Sequence, residues 1–141
     1  MRDIFNSRIF IRLSLILYMI VIFTLSSLTF KDTGSGFMLN DKLIHFTEYA
    51  ILGFLLMKYF SINRFKDINI SSFLTFITGA LYAASDEIHQ GFVGYFGTGI
   101  FGGLRDPDPL DFLADVAGIS FIILIFLLMH RRMLLKTNLQ E

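Results

Sequence analysis

Residues 13–30 read LSLILYMIVIFTLSSLTF, eighteen positions without a charge. At about 1.5 Å of rise per residue, such a run matches the hydrocarbon thickness of a bilayer, about 30 Å. Residues 68–85, INISSFLTFITGALYAAS, form a second charge-free run of the same kind. Two further segments are apolar but interrupted: 43–57 carries His45 and Glu48, and 112–129 carries Asp115. Between these runs lie a loop at 31–40 with Gly34 and Gly36, a loop at 61–69 with Arg64 and Lys66, and a glycine-rich stretch at 91–109. The pattern predicts an all-α integral membrane protein, a bundle of four transmembrane helices near 11–30, 42–60, 71–88 and 109–130 within a single domain over 1–141.

Composition points the same way. The 141 residues are 54% hydrophobic and 17% charged, where soluble chains average about 45–50% and about 25%. A soluble domain this small has too little interior to hide that apolar surface. The apolar content excludes intrinsic disorder, and a formal net charge of zero argues against nucleic acid as a partner. With no cysteine there is no disulfide framework, thiolate zinc site or cysteine nucleophile.

The basic residues set an expected orientation. Arg2, Arg8 and Arg12 precede the first span, Lys58, Arg64 and Lys66 lie between the second and third, and Arg131, Arg132 and Lys136 follow the fourth. Only Lys31, Lys42 and Arg105 fall on the other side, so the positive-inside rule places both termini in the cytoplasm and the glycine-rich loop outside. The first span could also be read as a secretory signal, but its apolar run is long and no small-residue cleavage pattern follows it. An uncleaved first helix is the expectation.

Three helices bring ionisable groups to the outer level. On helix two, His45 and Glu48 are three residues apart and share a face, with Asn40 or Asp41 as a candidate cap. Helix three is expected to end through Ser85, Asp86, Glu87, Ile88, His89 and Gln90, which would set Asp86 and Glu87 against the negative end of the helix dipole. Helix four is expected to start with Asp108 as N-cap and Pro109 as first residue, followed by Asp111 and Asp115 on one side. Asp108 and Asp111 suit a helix N-terminus as ordinary capping residues. A charged residue at mid-bilayer costs about 2.5–3.5 kcal/mol on an insertion scale, and such residues normally face a bundle interior or a wet cavity. Convergence of all three helices at one depth would create a shared polar pocket. Its carboxylates and imidazoles suit a divalent metal or general acid–base work. There is no zincin motif, since the second histidine is missing, and neither a Walker loop nor a nucleophile elbow. The stretch 91–103 holds six of the eleven glycines with aromatics between them and no charge, a composition suited to an interfacial loop over the pocket.

These residues resemble the VanZ-like membrane proteins. The likeness spans about 41–118 and rests on Asp41-Lys42-Leu43-Ile44-His45 with Glu48-Tyr49, on Asp86-Glu87-Ile88-His89-Gln90, and on Arg105 ahead of Asp111-Phe112-Leu113-Ala114-Asp115 with Gly118. The chain departs from that pattern at 91–104, which is longer than the family's usual connection. The family takes its name from an accessory protein of glycopeptide resistance associated with teicoplanin, so the resemblance implies a multi-pass protein of the bacterial cytoplasmic membrane and does not supply a reaction.

Three functions remain open at this level. The leading one is a pocket that engages an anionic or glycan-bearing envelope lipid and modulates sensitivity to glycopeptide-type antibiotics. The second is an enzyme acting on a lipid-linked phosphate, with His45, Glu48, Asp86, Glu87, His89 and Asp115 as catalytic candidates. In it Asp86, His89 and Asp115 are candidate ligands of a divalent metal, and Gln90, Arg105 and Asp111 candidates for binding the substrate, Arg105 by bidentate pairing with phosphate. The third is a structural membrane subunit whose polar groups knit helices together.

Overall fold

The computed structural model describes residues 8–27, 37–63, 67–96 and 108–139. They form four helices and no strand: α1 (Arg8–Ser26), α2 (Phe37–Asn63), α3 (Ile68–Phe96) and α4 (Pro109–Asn138). All four are long and apolar enough to cross a membrane. Leu13, Leu17, Phe73, Leu81 and Leu128 point outward on the bundle surface. In water so broad an apolar surface would drive association, whereas hydrocarbon accepts it without penalty. The chain is a multi-pass membrane protein.

Three helices run further than the apolar runs suggest. α2 begins at Phe37 instead of near 42, so Asp41 lies inside the helix and does not cap it. The expected end of helix three near residue 88 is wrong, because α3 continues through Gly91 and Gly94 to Phe96. Single glycines weaken a helix by about 1 kcal/mol each, a cost too small here to end it. Asp86 and Glu87 are therefore interior residues of α3, and the expected clash with a helix terminus does not arise. α4 runs past Arg131, Arg132 and Lys136 to Asn138, carrying its basic end beyond the apolar segment. The start of α4 is as expected: the Asp108 side chain accepts a hydrogen bond from the Leu110 amide, with Pro109 in the first turn. Residues 97–104 of the glycine-rich stretch lie outside the described residues, as does Arg105.

α2 and α4 form the closest pair, and α1 touches α2 and α3 but not α4. The N-terminal part of α2 meets the N-terminal part of α4, so these two helices run parallel. In α1 and α3, Met19 pairs with Tyr82 and Ser27 with His89, so they run parallel to each other and opposite to the first pair. The fully buried Ile119 sits at the centre of the bundle, against Gly53 of α2 and Gly79 of α3. One residue earlier, Gly118 lets the α4 backbone press directly on α2. A Cβ there would overlap the Phe46 carbonyl oxygen and stand 2.9 Å from the Ala50 nitrogen. Helix association in lipid depends on such close approach, because burial of apolar surface drives nothing there. This crossing lies one turn below His45 and Asp115 and sets their registration.

Candidate functional site

At the end of the bundle where α2 and α4 begin, the two N-terminal turns and the C-terminal third of α3 bring together a cluster of buried polar side chains. His45 is its centre and is almost fully buried. Its Nδ1 lies 3.0 Å from Asp115 Oδ1, and its Nε2 lies 3.7 Å from Asp111 Oδ2. Asp115 is fully buried and Asp111 nearly so. The spacing explains the clasp: Asp111 and Asp115 are four residues apart on one face of α4, and that face meets α2 above the Gly118 crossing.

Lys42, one turn before His45, forms ion pairs with both Asp108 and Asp111 and lies 3.8 Å from Asp41. It ties the first turn of α4 to α2. The Lys42 ammonium, by donating to Asp108 at the surface, holds that carboxyl below the usual aspartate range. A depressed folded-state value means that this link is complete at neutral pH and is lost only as pH falls through the lowered value. Lys42→Met leaves the buried Asp111 without this cation and is expected to destabilise the protein by about 1–3 kcal/mol. Thermal melting in detergent should show a wild-type advantage that is constant between pH 7 and 5 and narrows below about pH 4. An advantage that disappears above pH 5 would contradict this assignment.

From α3, Glu87 Oε2 accepts a hydrogen bond from the Asp108 amide at 3.1 Å, which turns the side chain toward α4. Asp86, also buried, accepts from Gln90 Nε2 at 3.0 Å. Tyr49 of α2 is fully buried, with its hydroxyl in electrostatic range of Asp86 and Asp115. Of the eight buried side-chain oxygens without a hydrogen-bond partner among the described residues, four belong to this group: Asp115 Oδ2, Glu87 Oε1, Gln90 Oε1 and the Tyr49 hydroxyl. Buried polar atoms are normally satisfied by protein, water or ligand, so this concentration marks a place where something else belongs. Two sets of side chains bring one ligand atom each within 4.8 Å of one another: His45, Glu87 and Asp115, and Asp41, His45 and Asp111.

The candidates from sequence thus separate into groups. His45, Glu87, Asp111 and Asp115 converge, and Asp86 and Gln90 form a separate hydrogen-bonded pair on α3. Glu48 is half-buried and lies toward α1, where its carbonyl accepts the Tyr18 hydroxyl. His89 points away to the α1–α3 contact, stacked on Phe23 at 4.2 Å and 2.9 Å from Ser27 Oγ. The expected metal trio of Asp86, His89 and Asp115 is not gathered, because neither close set includes Asp86 or His89. Ser27 and His89 do not make a nucleophilic pair, since the serine hydroxyl donates to the Phe23 carbonyl in its own helix. Lys42, Asp41 and Tyr49 were missed as site residues. Asp41 was legible from its i, i+4 spacing to His45, and Lys42 from being an isolated cation beside an otherwise acidic end.

Fold and site together define a four-helix, multi-pass membrane protein with an acidic, histidine-centred side-chain cluster near one end of the bundle. The chain belongs to the VanZ/LLP1 family, whose model matches residues 2–130. No curated protein and no solved structure matches it.

Proposed function

We propose that this VanZ/LLP1-family protein lies in the bacterial cytoplasmic membrane with both termini inside. Its polar cluster faces the outer leaflet, engages the polar part of an envelope lipid or glycan, and lowers sensitivity to glycopeptide-type antibiotics. The orientation follows from charge: Arg8, Arg12, Lys58, Arg131, Arg132 and Lys136 lie toward the bundle end opposite the cluster. The observation that carries the reading is the convergence of His45, Glu87 and Asp115 from three separate helices, with ligand atoms within 4.8 Å of one another. Ionisable groups held within a membrane span are costly and mark function by default. Carboxylates with unused oxygens accept hydrogen bonds from sugar hydroxyls, while a phosphate placed among them needs a compensating cation.

The test is expression in a glycopeptide-sensitive bacterium. Wild-type protein should raise the inhibitory concentration of teicoplanin at least fourfold, and His45→Ala should return it to the level of cells lacking the protein at equal membrane abundance. Undiminished protection by His45→Ala would end this reading.

An enzymatic reading is favoured by one specific feature, the 3.0 Å contact between His45 and Asp115 with Glu87 nearby. An imidazole oriented by a buried carboxylate is the ordinary arrangement of a general acid–base. It would act on a lipid-linked phosphate, and release of inorganic phosphate from such a lipid by the purified protein separates it from the binding reading.

A further inference from the structure

We propose that His45, Glu87 and Asp115 bind one divalent cation. The inference deepens the reading above, because a bound cation is what lets an acidic cluster receive a phosphate. It rests on three observations.

The first is geometric. Two ligands at right angles on an ion with bonds of about 2.1 Å stand about 3 Å apart, and ligands on opposite sides stand about 4.2 Å apart. The 4.8 Å limit of the whole set needs only a small contraction around an ion, with the His45 imidazole offering its lone pair to the ion in place of its hydrogen bond to Asp115.

The second is the state of the oxygens. Each carboxylate of the set uses one oxygen on a protein donor or the imidazole, Glu87 Oε2 on the Asp108 amide and Asp115 Oδ1 on His45. The other oxygen of each, Glu87 Oε1 and Asp115 Oδ2, is buried without a hydrogen-bond partner among the described residues. Leaving two such anionic oxygens unsatisfied in a low-dielectric interior is costly. The Tyr49 hydroxyl on α2, one turn beyond His45 and outside the acidic cluster, is likewise fully buried and without a hydrogen-bond partner among the described residues. Together these call for a positive charge and a ligand that the described residues do not supply.

The third is the contrast with the neighbouring set. Asp41, His45 and Asp111 also lie within 4.8 Å of one another, but there Lys42 already supplies a cation to Asp111. A dication at His45, Glu87 and Asp115 balances the two carboxylates, and its remaining coordination positions stay open to a phosphate oxygen. One imidazole and two carboxylates suit Mn²⁺ or Zn²⁺.

The experiment uses chelator-treated full-length protein in detergent micelles without added lipid, with Mn²⁺ as probe, read by loss of the free Mn²⁺ electron paramagnetic resonance signal. Wild type should bind one Mn²⁺ per chain saturably, displaced by Zn²⁺. Glu87→Gln and Asp115→Asn should each weaken binding at least tenfold at unchanged elution in gel filtration, while Asp41→Asn stays within threefold. Absence of saturable binding by folded wild-type protein overturns the proposal. So does loss of binding in Asp41→Asn with retention in Glu87→Gln, which would move the ion to the other set. If either glutamine or asparagine variant fails to fold, the other carries the comparison. Because no lipid or antibiotic is present, a metal-binding protein without protective effect counts against the functional reading alone, and protection without metal binding counts against this site alone.

Discussion

Gly118→Leu should leave no folded protein. At this position α4 lies against the α2 backbone, and even a methyl group would overlap the Phe46 carbonyl oxygen and approach the Ala50 nitrogen to 2.9 Å. Backbone atoms cannot rotate away as a side chain can, so the two helices must separate along their whole contact. Overpacking a core typically costs about 1–3 kcal/mol where side chains can adjust, and here the expected loss exceeds about 3 kcal/mol. The separation would also pull His45 from Asp115, so the cluster is lost with the fold. Gly118→Ala should give a folded but weakened protein. Gly79→Ala offers a milder comparison, since its added methyl meets the tip of the Ile119 side chain, Cδ1 at 2.6 Å. Gel filtration and thermal melting in detergent measure the series, with expected stability in the order wild type, Gly79→Ala, Gly118→Ala, Gly118→Leu. A Gly118→Leu protein melting within a few degrees of wild type would refute the crossing described for α2 and α4.

The second large effect is functional and is expected from Asp115→Asn. Asparagine keeps the size of the side chain and offers both an oxygen and an amide beside His45 Nδ1, so a hydrogen bond across the α2–α4 contact survives. Only the charge is removed. Teicoplanin protection should fall to the level of cells lacking the protein, while membrane abundance and melting stay near wild type. Asp115→Leu removes this oxygen as well, taking away the buried contact to His45 Nδ1 at an expected cost of about 1–3 kcal/mol, and should lower both protection and stability. The pair of variants distinguishes a chemical role from a structural one. Protection retained in Asp115→Asn and lost only in Asp115→Leu would assign the residue to helix packing.

Legibility in the sequence followed the range of the physical effect concerned. Hydrophobic partition is local, so the charge-free stretches at 13–30 and 68–85 announce spans whatever their neighbours do. The cap of α4 at Asp108 is equally local, and the expectation agrees with the observed bond to Leu110. The end of helix three was misplaced because glycine was given the weight it has in a soluble loop. In an apolar segment the backbone has no water to turn to, so the helix persists across Gly91 and Gly94.

The chain's own order of residues therefore determined how many membrane-length helices it forms and which ionisable side chains each of them carries. Only the tertiary structure decided the partners. His45 and His89 look alike in sequence, each one turn from a carboxylate, yet His45 is clasped by Asp111 and Asp115 while His89 lies against Phe23 and Ser27. The difference is the rotation of each helix about its axis. That rotation is set where Gly118 meets the backbone of α2 and Ile119 fills the space beside Gly53 and Gly79, contacts between distant residues that no local pattern encodes.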